Sequence, residues 1–346
     1  MLMFAAGHDR RMTLTTAANT PPTTALPALA ATVTVVLWAS AFVAIRALGD
    51  TFSPGSMAFL RLLAAVIPLS VVLLVVRRRS STRKPLFPRG RALAQVIAYG
   101  VAWFGGYMVL LNWAERHLDA GTAALLVNLA PILVAVYAGL FMGEGFPRHL
   151  VAGLALAFGG VVLIALGPSA GSSAHSDWLG IVLGLATAVL YALGVLLQKS
   201  ALSSVDALTA TWLGALAGLV STAPFAPVAV AELGDAAPAD VWWVIYLGVG
   251  PTAIAFTTWA YALARTQAST MAATTLVVPA IVVGMSWLFL GELPTVVGLV
   301  GGALCLLGVA VARGLLRRRT PRPVLPTRST ADRADDDPLS HVTPGA

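Results

Sequence analysis

Apolar residues fall in blocks of about twenty, separated by short polar breaks, rather than at the spacing of an amphipathic surface helix. The blocks lie near 28–48, 55–76, 92–111, 120–142, 149–167, 178–198, 208–231, 240–262, 268–290 and 295–314. A mostly apolar run of 18 or more residues spans a hydrocarbon core about 30 Å thick. Inside that core every backbone polar group needs an internal partner, which a helix supplies. The pattern predicts an all-α integral membrane protein of ten transmembrane helices. Most connections are short, so neighbouring helices are expected to pack antiparallel.

Composition agrees. Hydrophobic residues make up 58% of the 346 residues and charged ones 11%, against roughly 25% charged in a soluble domain. The net charge of +7 does not mark a nucleic-acid binder, because the bases sit in loops and tails between the apolar blocks. With the N-terminus in the cytoplasm, the second loop faces inward and carries Arg77, Arg78, Arg79, Arg83, Lys84, Arg89 and Arg91. Arg148, Lys199, Arg265 and Arg317 to Arg319 then lie inside as well, and Arg116 is the base of the outer loops. This asymmetry predicts a multi-pass protein of the cell membrane with both termini cytoplasmic. Residues 1–27 and 316–346 read as disordered tails, and 168–177 as an extracytoplasmic linker. The first block is too long for the core of a cleaved signal peptide, so it reads as a retained helix, with Met3 or Met12 as alternative starts. The single cysteine, Cys305, is within an apolar block; it reads as a small core residue and cannot form an intrachain disulfide.

The chain repeats itself. Shifted by 148 positions, residues 120–165 meet 268–313 with 14 of 46 identical, where chance gives about one in ten. Pro131 meets Pro279, Gly143 meets Gly291, Glu144 meets Glu292 and Gly160 meets Gly308. Upstream, at an offset of 153, Trp38 and Arg46 meet Tyr191 and Lys199. Five spans per repeat is an odd number, so consecutive repeats enter the membrane from opposite sides. Such inverted repeats give a transporter two pseudo-equivalent ways to open one central site.

The run Leu37-Trp38-Ala39-Ser40-Ala41-Phe42-Val43-Ala44-Ile45-Arg46, then Ser53-Pro54 and Phe59-Leu60-Arg61, resembles the start of an EamA-type domain of the drug/metabolite transporter superfamily. Pro131, Gly143-Glu144 and Gly159-Gly160 resemble the end of that domain; Pro279, Gly291-Glu292 and Gly308 repeat it. The resemblance covers about residues 30–315. It implies ten helices in two five-helix repeats, at 28–167 and 178–315, around a central cavity. It also implies efflux or exchange of amino acids, other small metabolites or drugs. Arg61 falls opposite Gly214 in the second repeat, so contacts inferred for one half do not transfer to the other.

Several residues could serve such a cavity. Arg61 lies about 9 Å into the second span at 1.5 Å per residue. An arginine at that depth costs free energy unless paired or hydrated; it is a substrate contact or a snorkelling side chain. Arg46 has Asp50 four residues on, which reads as an interfacial helix pair or as an outer gate. Lys199 reads chiefly as a topology determinant. Glu144 and Glu292 each follow a glycine and read as caps of the next helix, with a gate role as the alternative. Pro131 and Pro279 are placed near mid-membrane, where they kink a helix or serve as pivots exposing carbonyls. Trp38, Trp103, Tyr107, Tyr191 and Trp259 offer flat apolar walls with one donor each. Asn112 and Asn128 suit either the cavity or interhelical bonds. Small-xxx-small pairs such as Gly180/Gly184 and Gly214/Gly218 suggest close packing within the bundle and leave room for a homodimer.

Gly167-Pro168-Ser169-Ala170-Gly171 matches a hydrolase elbow, but that elbow needs a strand–turn–helix. Cofactor or metal motifs are not evident in the sequence, and the mid-span positions hold no acid for a proton relay of the usual kind. The sequence therefore predicts a secondary transporter of a small-molecule, anionic or zwitterionic substrate, with the lipid bilayer as its other partner. An intramembrane enzyme or lipid-modifying membrane protein is the alternative, and a passive channel a third reading.

Overall fold

A computed structural model describes residues 25–79, 87–141, 148–166, 178–265, 271, 274–292 and 295–312. The tails, the 168–177 linker, Gly143-Glu144, Arg83, Lys84 and the Gly167–Gly171 elbow fall outside these residues. The described chain is helical: α1 Ala25–Leu48, α2 Pro54–Arg79, α3 Arg91–Ala114, α4 Ala120–Val127, α5 Ala130–Phe141, α6 Arg148–Leu166, α7 Trp178–Ala201, α8 Ala207–Asp235, α9 Pro238–Arg265, α10 Val278–Leu290 and α11 Val296–Ala312. Six of these, α1, α2, α3, α7, α8 and α9, are long and apolar enough to cross a membrane. The other apolar stretches, Ala120–Val134, Val151–Leu163, Val278–Leu290 and Val296–Val311, are shorter helical runs. Val71, Leu74, Val75, Phe158, Leu288 and Phe289 face outward although large and apolar. A helix that is apolar on its outward as well as its inward face belongs in lipid.

Two kinds of break shape the bundle. Within α3, Gly100–Tyr107 winds as a π-helix, and within α9, Gly248–Ile254 does the same. The two segments start 148 residues apart, the offset of the sequence repeat. π-turns widen a helix and free backbone groups from the regular ladder. The second break separates α4 from α5 at Asn128-Leu129 and recurs as a 3₁₀ turn at Thr275–Val277 before α10. Pro131 and Pro279 follow these breaks, in the first turns of α5 and α10. They therefore do not kink a continuous helix, as the sequence suggested. A proline in a first turn forfeits no backbone bond, because those N–H groups have no intrahelical partner.

The last helices of the two halves, α6 and α11, meet face to face through glycine. A Cβ on Gly160 would lie 2.4 Å from Gly301 O, and one on Gly308 2.5 Å from Ala157 N. Polar side chains tie the remaining helices together. Thr34 Oγ1 donates to Ala255 O (3.2 Å), Ser40 Oγ lies 2.6 Å from the Tyr246 hydroxyl, and Trp212 Nε1 donates to Ser70 Oγ (2.8 Å). Asp119 caps α4 by accepting from Thr122 N, and Asp206 caps α8 by accepting from Thr209 N.

These contacts sort the helix ends. The C-termini of α1, α3 and α10 and the N-termini of α2, α4, α7 and α9 gather at one end of the bundle. Arg46 meets Glu115 and Glu292 there, Gly180 meets His117, and Thr51 Oγ1 donates to Asp240 (3.2 Å). Exposed Trp113, Trp178, Trp242 and Trp287 stand at the same end, as tryptophans do at a membrane–water boundary. Lys199 and Arg265 close α7 and α9 at the other end.

Candidate functional site

A cavity of about 530 Å³, its mouth included, opens among α1, α2, α3, α4, α5, α7, α9 and α10. Helices from both halves line it because the two broken pairs, α4/α5 and the turn leading into α10, present their broken ends to it. Thr275 and Val278 of one break face Val127, Asn128 and Pro131 of the other.

The wall is aromatic. Trp38 from α1 stands against Trp103, Tyr191, Phe256 and Trp259, with ring centroids 4.9–6.1 Å apart. Trp103 packs edge-on to Tyr191 and Phe256 at 5.1 Å. Its ring lies against Gly194 of α7, where a Cβ would come within 2.6 Å of the indole. Such tilted pairs each add about 0.5–1.5 kcal/mol beyond area burial, so the wall is stiff.

Arg61 is the charged residue of the wall. It is 3% exposed. Its Nε donates to Thr252 Oγ1 at 2.7 Å, and Thr252 Oγ1 in turn donates to Leu247 O, at the start of the π-segment of α9. Nη1 of Arg61 is buried without a hydrogen-bond partner. The Nε1 donors of Trp38 and Trp103 and the Oδ1 acceptor of Asn128 are also buried and unpaired. Buried polar groups are normally satisfied, and each that is not costs about 1–3 kcal/mol. Three orphaned donors, one of them the Arg61 guanidinium, thus stand at one apolar cavity, and a charged donor makes the stronger hydrogen bonds.

Of the sequence candidates, Trp38, Arg61, Trp103, Tyr107, Asn128, Pro131 and Tyr191 line this cavity. Trp259 lies one layer behind Trp38 and donates through Nε1 to Gln198 Oε1 (3.0 Å), while Gln198 Nε2 donates to the Tyr99 hydroxyl (2.9 Å). Pro279 is next to the lining Val278. Asn112 is set back: its Nδ2 donates to Pro54 O (3.0 Å) and anchors the start of α2.

Arg46 is above the cavity and ignores the nearby Asp50. Its Nε donates to both carboxylate oxygens of Glu292 (3.1 and 3.3 Å), and Nη1 reaches Glu115 O (3.4 Å). The latch thus joins α1 of the first half to the α10–α11 loop of the second. Gly291 makes this possible. It ends α10 at φ 67°, a left-handed conformation natural to glycine, and so turns Glu292 toward Arg46. Glu292 is therefore an ion-pair partner rather than a helix cap. The first turn of α11 is capped by Thr295 Oγ1, which accepts from Gly298 N (3.0 Å). Lys199 at the opposite end donates to Leu263 O of α9 (2.9 Å), a cation on the carbonyl end of a helix.

The EamA-like transporter family model matches residues 25–166 and again 178–314. The chain belongs to the EamA-like transporter family. A probable terminal-alkyne amino-acid exporter of Streptantibioticus cattleyicolor is 35% identical over 83% of this chain and 92% of its own length. The uncharacterized transporter YdfC of Bacillus subtilis is 31% identical over 79% and 86%. An uncharacterized transporter of Archaeoglobus fulgidus is 27% identical over 80% and 95%. A solved crystal structure shares the fold at TM-score 0.58 and 20% identity, covering 84% of this chain and 99% of that one. This EamA-like protein is a multi-pass membrane transporter.

Sequence reasoning missed Thr252, Gln198, Phe256 and Glu115. The first three sit in apolar spans as isolated polar or aromatic residues; only their three-dimensional partners distinguish them. Glu115 follows α3 directly and reads as a loop residue, yet it is buried.

Proposed function

We propose that this transporter is a secondary carrier of ten spans in two inverted five-helix repeats, moving amino acids or related small carboxylates by alternating access. The observation that carries this reading is Arg61: a buried guanidinium with one unpaired nitrogen in the wall of an aromatic cavity. A substrate carboxylate satisfies Nη1 and the indole donors, while its apolar body stacks on Trp38 and Trp103. The relative described as a probable terminal-alkyne amino-acid exporter supports an amino acid with a small apolar side chain, and export. The 148-residue spacing shared by the 120–165 sequence match, the π-segments and the broken pairs supports duplication, and an odd number of spans per copy supports inversion. The basic residues at the Lys199 end and the tryptophans at the Arg46 end support a cytoplasmic face for the former and cytoplasmic termini in the cell membrane.

Counterflow in proteoliposomes tests the proposal. Vesicles preloaded with unlabelled L-propargylglycine and neutral L-amino acids are expected to accumulate the labelled compound transiently. Arg61→Gln is expected to abolish this. A flux without trans-stimulation indicates a channel, and unchanged counterflow in the variant removes Arg61 from the site.

A further inference from the structure

Glu115 closes α3 at the Arg46 end, one residue past the end of the third span, and is 2% exposed. Both of its carboxylate oxygens are buried without a hydrogen-bond partner. An ionised carboxylate in that setting carries its full desolvation cost with no donor to offset it. Burial accordingly pushes its proton affinity well above the ordinary carboxylate range; Arg46 and Arg61 oppose the rise, and Asp119 and Glu292 add to it.

The surrounding charges are few and already engaged. From α1, Arg46 holds Glu292 by its side chain and Glu115 by the main-chain oxygen only. From α2, Arg61 is fixed to Thr252 by Nε. Asp119, ahead of α4, accepts from Thr122 N and Thr122 Oγ1. Tyr107, on Glu115's own helix, lines the cavity below. Beyond Glu115, His117 packs on Gly180 of α7, and the Arg116 stem lies near Gly49. Lys199 of α7 is at the far end of that helix, on Leu263 O.

Arg46 thus stands between two carboxylates and serves one. The geometry points to Glu115 as a proton-binding site coupled to the latch: it holds a proton while Arg46 is committed to Glu292, and releases it to the adjoining water when Arg46 crosses to Glu115. The step balances simply. The Glu115 O–H bond breaks, the proton passes to water, and the carboxylate left behind takes Arg46 as its counter-ion. On closure Glu292 recovers Arg46 and Glu115 recovers a proton from the same side. The ligand is the proton itself, and acid on that side favours the closed latch. The inference rests on the carrier reading for its role in transport, but the protonation change is measurable without it.

The test is an infrared titration of the purified full-length protein, following the protonated-carboxyl band of Glu115 identified by its loss in Glu115→Gln. The wild-type band is expected to persist at neutral pH. In Glu292→Gln, Arg46 is free to pair with Glu115, so the band is expected to vanish about one or more pH units lower. In Arg46→Gln it is expected to persist to higher pH. Absence of a Glu115-dependent band at neutral pH, or midpoints unmoved by both variants, overturns the proposal. Proteoliposome counterflow of labelled L-propargylglycine adds a second readout: Glu115→Gln is expected to retain exchange and lose its dependence on external pH, and retained dependence overturns the coupling. Wild-type vesicles without any counterflow would refute the carrier reading, while the titration would still decide the proton site.

Discussion

Cys305 Sγ contacts Ala157 O at 3.3 Å, and the two residues are 148 positions apart. Under the sequence repeat, Ala157 is the position equivalent to Cys305. The two copies of the repeat thus touch at matching positions along α6 and α11, and this seam admits no side chain at Gly160 or Gly308.

This seam gives the first prediction. Gly308→Val puts its new atoms against the Ala157 backbone, which cannot move aside as a side chain can. Overpacking of this kind costs about 1–3 kcal/mol. Thermal unfolding in detergent is expected to show a lower midpoint for Gly308→Val and Gly160→Val. Gly284→Ala, with open space around it, serves as the control.

Gln198 anchors the aromatic wall from behind. Gln198→Leu orphans Trp259 Nε1 and the Tyr99 hydroxyl together. Two buried unsatisfied groups cost about 1–3 kcal/mol each. The expected result is a destabilised protein with weakened substrate affinity. Gln198→Glu, which keeps the acceptor for Trp259, is expected to be less affected at acidic pH than at neutral pH.

Arg61→Gln removes one charge-assisted contact from the cavity. Hydrogen bonds to charged groups contribute about 1.5–3 kcal/mol, so the substrate carboxylate is expected to bind roughly 10- to 150-fold more weakly. Isothermal titration with an amino acid and with its decarboxylated amine separates the cases. Only the amino acid is expected to lose affinity.

The latch is tested by reversal. Arg46→Glu alone places three acids together and is expected to open that end. Arg46→Glu with Glu292→Arg is expected to close it again. A cysteine introduced at Phe42, in a Cys305→Ala background, reports the state by its labelling with a membrane-impermeant maleimide. Both latch side chains are about one-third exposed (35% and 30%), so high salt is expected to speed labelling in the wild type.

Glu115 also links stability to pH. It binds a proton more tightly folded than unfolded, since burial raises its affinity. Its contribution is therefore greatest below the ordinary glutamate range, near about 4.3, and is lost as pH rises toward the folded-state value. The wild-type unfolding midpoint is expected to fall over that window relative to Glu115→Gln, which cannot titrate there.

Much of this architecture is legible along the chain. Six of the ten apolar blocks coincide with helices long enough to cross a membrane, the 120–142 block divides into two shorter helices, and the 148-residue offset anticipates the paired breaks. What local rules could not supply is partner choice. Arg46 has Asp50 one turn away but takes Glu292, 246 residues on, because Gly291 turns that carboxylate inward. Pro131 and Pro279 look like kinks because the sequence does not reveal the end of α4 before one and the 3₁₀ turn before the other. Glu115 passes for solvent-facing because hydropathy averages over a window, while burial depends on what α1, α2 and α7 bring over it.

Two ties at opposite ends of the bundle differ in kind. One is side chain to side chain, Arg46 to Glu292; the other is side chain to backbone, Lys199 to Leu263 O. A carboxylate can be screened, titrated or replaced by a single codon change, whereas a peptide carbonyl is present whatever residue occupies its position. Selection can thus retune the first tie from either partner, Arg46 or Glu292, while the second offers it Lys199 alone.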